Sequence, residues 1–218
     1  MDTDDFSEPD FSDGFRSDFE SLLSWRRDVR HFRKDPVPDD VLERLLELAD
    51  RAPSVGNSQP WRIVRVDDPE RRAGVIQIHE EANREASAAY GTSEKAEAYR
   101  KLKLAGLREA PVHLAVFVDP DPEQGHGLGR ATMPETLAYS AVGMIQTLWL
   151  AARIEGVGLG WVSILDPVRI GCILDVNPSW SFIAYLCLGY PEKNYDTPEL
   201  ERKRWQARTP LSDRILKR

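Results

Sequence analysis

One stretch constrains the fold of this chain more than any other: residues 136–155, TLAYSAVGMIQTLWLAARIE. It reads as a helix whose large side chains, Leu137, Met144, Ile145, Leu148 and Trp149, are spread around nearly its whole circumference. Such a helix has no polar face to offer water and belongs in a core or at a subunit interface. A chain of 218 residues is long enough to build one substantial core around it. It would still struggle to cover every side of this helix without a second copy.

The material for that core is spaced along the chain. Strands are predicted at Trp61–Val66, at the near-continuous apolar run Val112–Val118, at Trp161–Leu165 and at Phe182–Leu188. Helices fall between them. Ser17 and Glu20 form a capping box ahead of Phe19, Leu22 and Leu23, in a helix that fades near Arg26 and Arg27. A second helix follows Pro38, capped by Asp39 or Asp40, with an apolar stripe of Val41, Leu42, Leu45, Leu46, Leu48 and Ala49, and Pro53 stops it. Residues 69–107 are helical in composition with interruptions at Gly74 and Gly91, and their charged middle, 80–100, is expected to stand clear of the core. Residues 119–133 form a loop, a helix starts at Pro167, and the charged chain beyond Pro191 reads as an extended arm. Strands separated by long helices give an α+β or α/β layer and exclude a sandwich. The domain reading is an acidic, disordered tail over 1–16 and a single domain over 17–218.

The net charge of −7 argues against a general nucleic-acid binder, while leaving room for one compact basic pocket. The two cysteines, Cys172 and Cys187, lie in apolar runs and read as buried free thiols in a reducing cytosol. The acidic N-terminus is neither a secretory signal nor a transit peptide, and no apolar run approaches a membrane span. A cytoplasmic protein is expected. The four histidines are scattered and offer no metal pair.

Three places carry side chains suited to chemistry. Arg26, Arg27, Arg30, Arg33 and Lys34 cluster as guanidinium forks do around a phosphate monoester, although Arg26 and Arg27 would also be favoured simply by a helix C-terminus. Asp28, inside the cluster, is either their counter-ion or an ionised carboxylate available as a base. In the loop 53–61, Ser54, Asn57 and Gln59 could read the edge of a planar heterocycle, or merely stop a helix and start a strand. The glycines of 156–160 follow a helix and precede a strand, the reverse of a dinucleotide fingerprint, so they suit a tight connection or close backbone approach. Ser163, in the strand beyond, is ordinarily a small polar filler. From residues alone the reading ends at a mixed α/β domain with one phosphate-sized basic pocket.

Several segments, in order, resemble the nitroreductase-like flavoprotein family from about residue 18 onward. They are Arg26-Arg27-x-x-Arg30-x-Phe32, then Ala52-Pro53-Ser54-x-x-Asn57-Ser58-Gln59-Pro60-Trp61, Gly158-Leu159-Gly160-Trp161, and Leu186-Cys187-Leu188-Gly189-Tyr190-Pro191. The resemblance implies an α+β fold with a central mixed or antiparallel sheet flanked by helices, in an intertwined homodimer with FMN at the subunit interface. It implies that Arg26, Arg27, Arg30 and the late Arg208 grip the phosphate, and that Pro53, Ser54 and Asn57 approach the flavin from the partner chain. Within the family, Arg26-Arg27-Asp28-Val29-Arg30, the segment 102–111 with Lys103, and Gly160-Trp161-Val162-Ser163 look like the branch that fragments flavin. In that branch reduced FMN is itself the substrate, and O2 breaks it into dimethylbenzimidazole and a four-carbon sugar phosphate. Asp28 would then be the acid/base group, Ser163 a hydrogen-bond partner of the flavin, and 80–100 a lid. A separate flavin reductase could supply the reduced flavin. The competing readings are an NAD(P)H-dependent nitroreductase or flavin reductase, a dehalogenase-like member of the fold, and a non-catalytic FMN-binding protein.

Overall fold

A computed structural model describes residues 9–218; most of the acidic N-terminal stretch, residues 1–8, lies outside the described residues. The strands are β1 (Trp61–Arg65), β2 (Val112–Val118), β3 (Gly158–Val162) and β4 (Ser181–Gly189). They lie side by side in the order β1-β2-β4-β3, with every neighbouring pair antiparallel. The helices are α1 (Asp13–Trp25), α2 (Asp39–Asp50), α3 (Pro69–Ala88), α4 (Glu94–Arg100), α5 (Thr136–Ile154), α6 (Pro167–Leu174) and α7 (Glu199–Arg202).

β2 explains the layering. It is buried at every position, and side chains alternate across a strand, so it needs cover on both faces. Val112, Leu114, Val116 and Val118 enter one core with Leu42 and Leu45 of α2 and Met144, Ile145 and Leu148 of α5. Ala115 and Phe117 enter the other, with Val75 and Ile78 of α3 and Ile170 and Leu174 of α6. The result is the expected α+β architecture, a sheet between two helical layers. Burying each large aliphatic side chain of α5 contributes about 1.5–3 kcal/mol relative to exposure.

Several local expectations are corrected. α1 starts at Asp13, because Ser12 is the N-cap and its Oγ accepts from Phe15 N at 3.2 Å; Ser17 and Glu20 lie inside the helix. Residues 13–16 of the predicted tail are therefore helical. At α2 the cap position is Pro38, with no side-chain cap, and Asp39 and Asp40 fall in the first turn, where they still favour the helix dipole. α3 runs straight through Gly74, where an added Cβ would overlap the Ile173 side chain, so this glycine lets α3 lie against α6. Gly91, at φ +63°, does mark a break. The 80–100 segment does not stand clear: Ala96 and Tyr99 are buried, and Tyr99 donates to Asn83 Oδ1 at 2.8 Å. Trp205 meets Tyr90 and Tyr99 edge-on. β3 begins at Gly158 and ends at Val162, which leaves Ser163 in the following loop, exposed. Cys187 is buried as expected, whereas Cys172 is exposed. α5, at 19 residues and a mean hydropathy of 1.2, is long and apolar enough by length and composition to cross a membrane, contrary to expectation. Its packing beneath the sheet and α2 accounts for that composition.

A buried polar pair bridges β2 and β4. His113 Nδ1 lies 2.9 Å from Tyr185 Oη, and burial, with the Arg72 charge, lowers the His113 pKa to about 4. A histidine whose folded pKa lies below its unfolded 6.5 contributes stability that is complete above pH 6.5 and lost as pH falls toward 4. The full contribution is about 3 kcal/mol. In urea melts across that window, His113→Gln should flatten the pH dependence of the midpoint; an unchanged slope would assign acid sensitivity elsewhere.

Candidate functional site

The site is built on a chain segment that extends the sheet without being a full strand. Residues 26–33 leave α1, meet the outer edge of β3 at Asp28 and Val29, and then pair with residues 190–192 beyond β4. Asp28 forms a parallel bridge with Leu159, and Val29 N donates to Leu159 O at 3.0 Å. Further on, Arg33 N donates to Tyr190 O at 2.8 Å and Glu192 N to His31 O at 3.1 Å. Phe32, 1% exposed, anchors the segment in the core. Glycines make the approach possible. A Cβ on Gly160 would overlap the Val29 carbonyl oxygen, and one on Gly106 would overlap the Phe32 ring. A Cβ on Gly158 would lie 2.7 Å from Val29 Cγ2. Gly158 and Gly160 thus serve close approach of the 26–33 segment, one of the two uses the sequence allowed for the 156–160 glycines.

This placement divides the arginine-rich segment into two groups. In the first, Asp28 Oδ1 accepts from Trp161 N at 2.8 Å and Oδ2 accepts from Arg30 Nε at 2.8 Å. Arg30 also donates from Nη1 to Lys103 O at 3.1 Å, and Lys103 Nζ pairs with Glu109 Oε1 at 2.9 Å. Burial pushes the Asp28 pKa above the ordinary carboxylate value, opposed by the Arg30 charge, the Trp161 N–H and the Arg26 charge. In the second group, the Arg26 guanidinium sits over the Trp149 ring at 4.8 Å. Trp149 Nε1 donates to Arg27 O at 3.1 Å. Arg27 folds its guanidinium onto carbonyls, with Nε to Asp196 O at 3.0 Å, Nη1 to Arg26 O at 2.6 Å, and Nη2 to both Ser24 O and Asp196 O. Burial lowers the pKa of both Arg26 and Arg27, and the nearby charge of Arg208 lowers it further. Like charges near one another repel, and an anion bound among them would relieve that repulsion.

Arg26 to His31, Trp149, Val157 to Leu159 and part of the 191–203 segment enclose a cleft of about 240 Å³. Pro53, Ser54 and Asn57 are not brought there within one chain. Ser54 Oγ accepts from Gln59 N at 3.0 Å, and Asn57 lines a separate hollow with Gly125 and Leu128. Ser163 is exposed in the loop after β3, near neither arginine group by any hydrogen bond among the described residues. Three participants were missed in the sequence. Trp149 looked like one more apolar residue of α5, Glu109 stands at no helical spacing from Lys103, and the Asp196 carbonyl is a backbone group that no side-chain pattern reveals.

The family pattern described as the nitroreductase family matches residues 23–190, which include Arg26, Arg27, Asp28, Arg30 and the whole sheet. The chain belongs to the nitroreductase family. A member of this family from Rhodospirillum rubrum, a 5,6-dimethylbenzimidazole synthase, is 56% identical over 202 residues, covering 93% of this chain and 95% of the relative. A 5,6-dimethylbenzimidazole synthase from Rhodobacter capsulatus is 51% identical over 200 residues, covering 92% and 96%. Among solved structures, iodotyrosine deiodinase bound to FMN and 3-iodo-L-tyrosine superposes with a TM-score of 0.68 at 23% identity, covering 81% of this chain and 91% of that one. The chain thereby shares its fold with that protein.

Proposed function

We infer that this protein forms 5,6-dimethylbenzimidazole, the lower ligand of cobalamin, by O2-dependent fragmentation of reduced FMN, with erythrose 4-phosphate as the sugar product. The observation that carries this is end-to-end similarity to 5,6-dimethylbenzimidazole synthases at up to 56% identity. An NAD(P)H-dependent nitroreductase has weaker support, from membership of the wider family and from relatives at 28–35% identity.

The residues present fit reduced FMN as substrate. Arg26, Arg27 and Arg208 would hold its phosphate; Arg27 would act mainly through charge, since most of its N–H groups are already committed to carbonyls. Val29, Gly160, Trp161 and the Lys103 segment would line the flavin, with Ser163 donating to it and Pro53, Ser54 and Asn57 reaching it from the partner. When bound, reduced FMN supplies the electrons and the ring that reacts with O2. Asp28 supplies the base: each carboxylate oxygen accepts one hydrogen bond and keeps a lone pair that can take a proton from the ribityl chain. Burial makes it a stronger base than an exposed aspartate, and activity should fall as pH drops through its raised pKa. The protein would work in the cytoplasm, fed by a separate flavin reductase. Mixing it with chemically reduced FMN in air should consume flavin and release dimethylbenzimidazole; full return of oxidised FMN would leave the nitroreductase reading in front.

The phosphate assignment has its own test. Arg26→Ala or Arg208→Ala should weaken FMN binding by roughly 10- to 150-fold, the loss of one charge-assisted contact, with little change for riboflavin. Equal losses for the two ligands would make these arginines structural.

A homodimer completes the proposal. Phe11, Phe15, Phe19 and Leu23 repeat at i, i+4 along and just before α1, each 44–52% exposed. α1 packs on α5, where Tyr139 and Val142 are also exposed. An apolar row of this length on a soluble chain marks a contact surface. Sedimentation should give a dimer at micromolar concentration; a folded, FMN-loaded monomer would contradict it.

A further inference from the structure

We propose that Arg30 is a positioning residue for Asp28 and that it does not grip the phosphate, an inference that rests on Asp28 being the base of the proposed reaction. Arg30 lines the same cleft as Arg26 and Arg27, but its donors are spent on other partners. Its Nε is bound to Asp28 Oδ2 at 2.8 Å and its Nη1 to Lys103 O at 3.1 Å, with the side chain 14% exposed. Arg27, by contrast, is bound to the Ser24 and Asp196 carbonyls, and the Arg26 guanidinium lies over the Trp149 ring. A guanidinium is a planar fork whose donors point in fixed directions. With one edge on the carboxylate and another on the Lys103 carbonyl, Arg30 ties Asp28 to the 102–110 segment. Trp161 N holds the other oxygen from β3. The carboxylate is thus fixed by contacts from two different elements, as a base must be if its free lone pairs are to face one substrate bond.

The same contact governs ionisation. The groups facing Asp28 are Arg26 and Arg30 on its own segment, the Trp161 N–H from β3, and the Cys187 thiol from β4. Burial and the Asp28 charge push that thiol's pKa up, so it stays neutral. Beyond Arg30, the Lys103–Glu109 pair contributes both signs at once. Of these, Arg30 is the largest influence opposing burial. Removing it leaves a partly buried carboxylate with less compensation, so Asp28 should take up its proton at higher pH.

The test compares wild type with Arg30→Gln and Arg30→Lys in three measurements. The acid limb of dimethylbenzimidazole formation should move to higher pH by about 1–3 pH units in Arg30→Gln, with the rate recovering at high pH, and less in Arg30→Lys. The ratio of FMN to riboflavin affinity should stay within about twofold of wild type, as no phosphate contact is lost. Carbon-13 NMR titration of labelled aspartates, with Asp28→Asn identifying the signal, should show the same upward movement without any turnover. An FMN-selective loss of affinity with an unmoved acid limb would assign Arg30 to the phosphate and overturn the proposal. An equal loss of rate at every pH in both variants, with the Asp28 titration unmoved, would make Arg30 merely structural and overturn it too. If the wild type forms no dimethylbenzimidazole, the proposed reaction fails, while the NMR titration still decides whether Arg30 sets Asp28.

Discussion

Asp28→Asn is expected to end dimethylbenzimidazole formation while FMN still binds. Asparagine keeps the size of the side chain and one oxygen to accept from Trp161 N, but it takes no proton. Loss of a positioned base removes ~10²–10⁴-fold of rate, so product should fall by at least the lower figure. Affinity alone does not decide the role, because a mere counter-ion to Arg30 and Arg26 would also be dispensable for binding. The fate of the flavin does. On the variant, reduced FMN should reoxidise in air to intact FMN. Product at the normal rate would reduce Asp28 to a counter-ion and leave the overall reaction standing.

Gly160→Ala should damage the site almost as severely, by a different route. The new Cβ would overlap the Val29 carbonyl oxygen, a backbone atom with no rotamer to escape through. Residues 26–32 must then lift from β3, separating Asp28 from Trp161 N and disturbing Arg26 together with it. A shift of about 1 Å in a catalytic group commonly costs ~10²-fold in rate, so turnover and FMN affinity should fall together. Gly171→Ala is the control: in α6 its Cβ would sit 3.9 Å from Val176 Cγ2, an ordinary contact. Helix propensity there predicts a gain of up to about 1 kcal/mol. Equal behaviour of the two variants in flavin titration and thermal melts would refute the close-approach account of Gly160.

The sequence made the layers legible where burial leaves a periodic trace. β2, buried on both faces, and α5, apolar all round, were placed within a residue or so. Fine boundaries were less legible where two local signals compete: Ser12 caps α1 although Ser17 and Glu20 form a better motif, and Gly74 looks like a break although it is a packing contact with Ile173. The arginine cluster was legible as a cluster but not as two groups. Its division follows from Asp28 and Val29 lying against β3, which sets Asp28 against the Trp161 N–H and commits Arg30 to Asp28 and the Lys103 carbonyl. No spacing rule encodes a contact made between residues 133 positions apart.

Whether this protein destroys the flavin it binds is decided by a single-turnover experiment. Stoichiometric reduced FMN is bound without oxygen, air-saturated buffer is added, and flavin and dimethylbenzimidazole are separated by chromatography after reaction is complete. A permanent loss of flavin, matched by one dimethylbenzimidazole for each flavin lost, is expected. Quantitative recovery of intact FMN, with peroxide and no dimethylbenzimidazole, would contradict it.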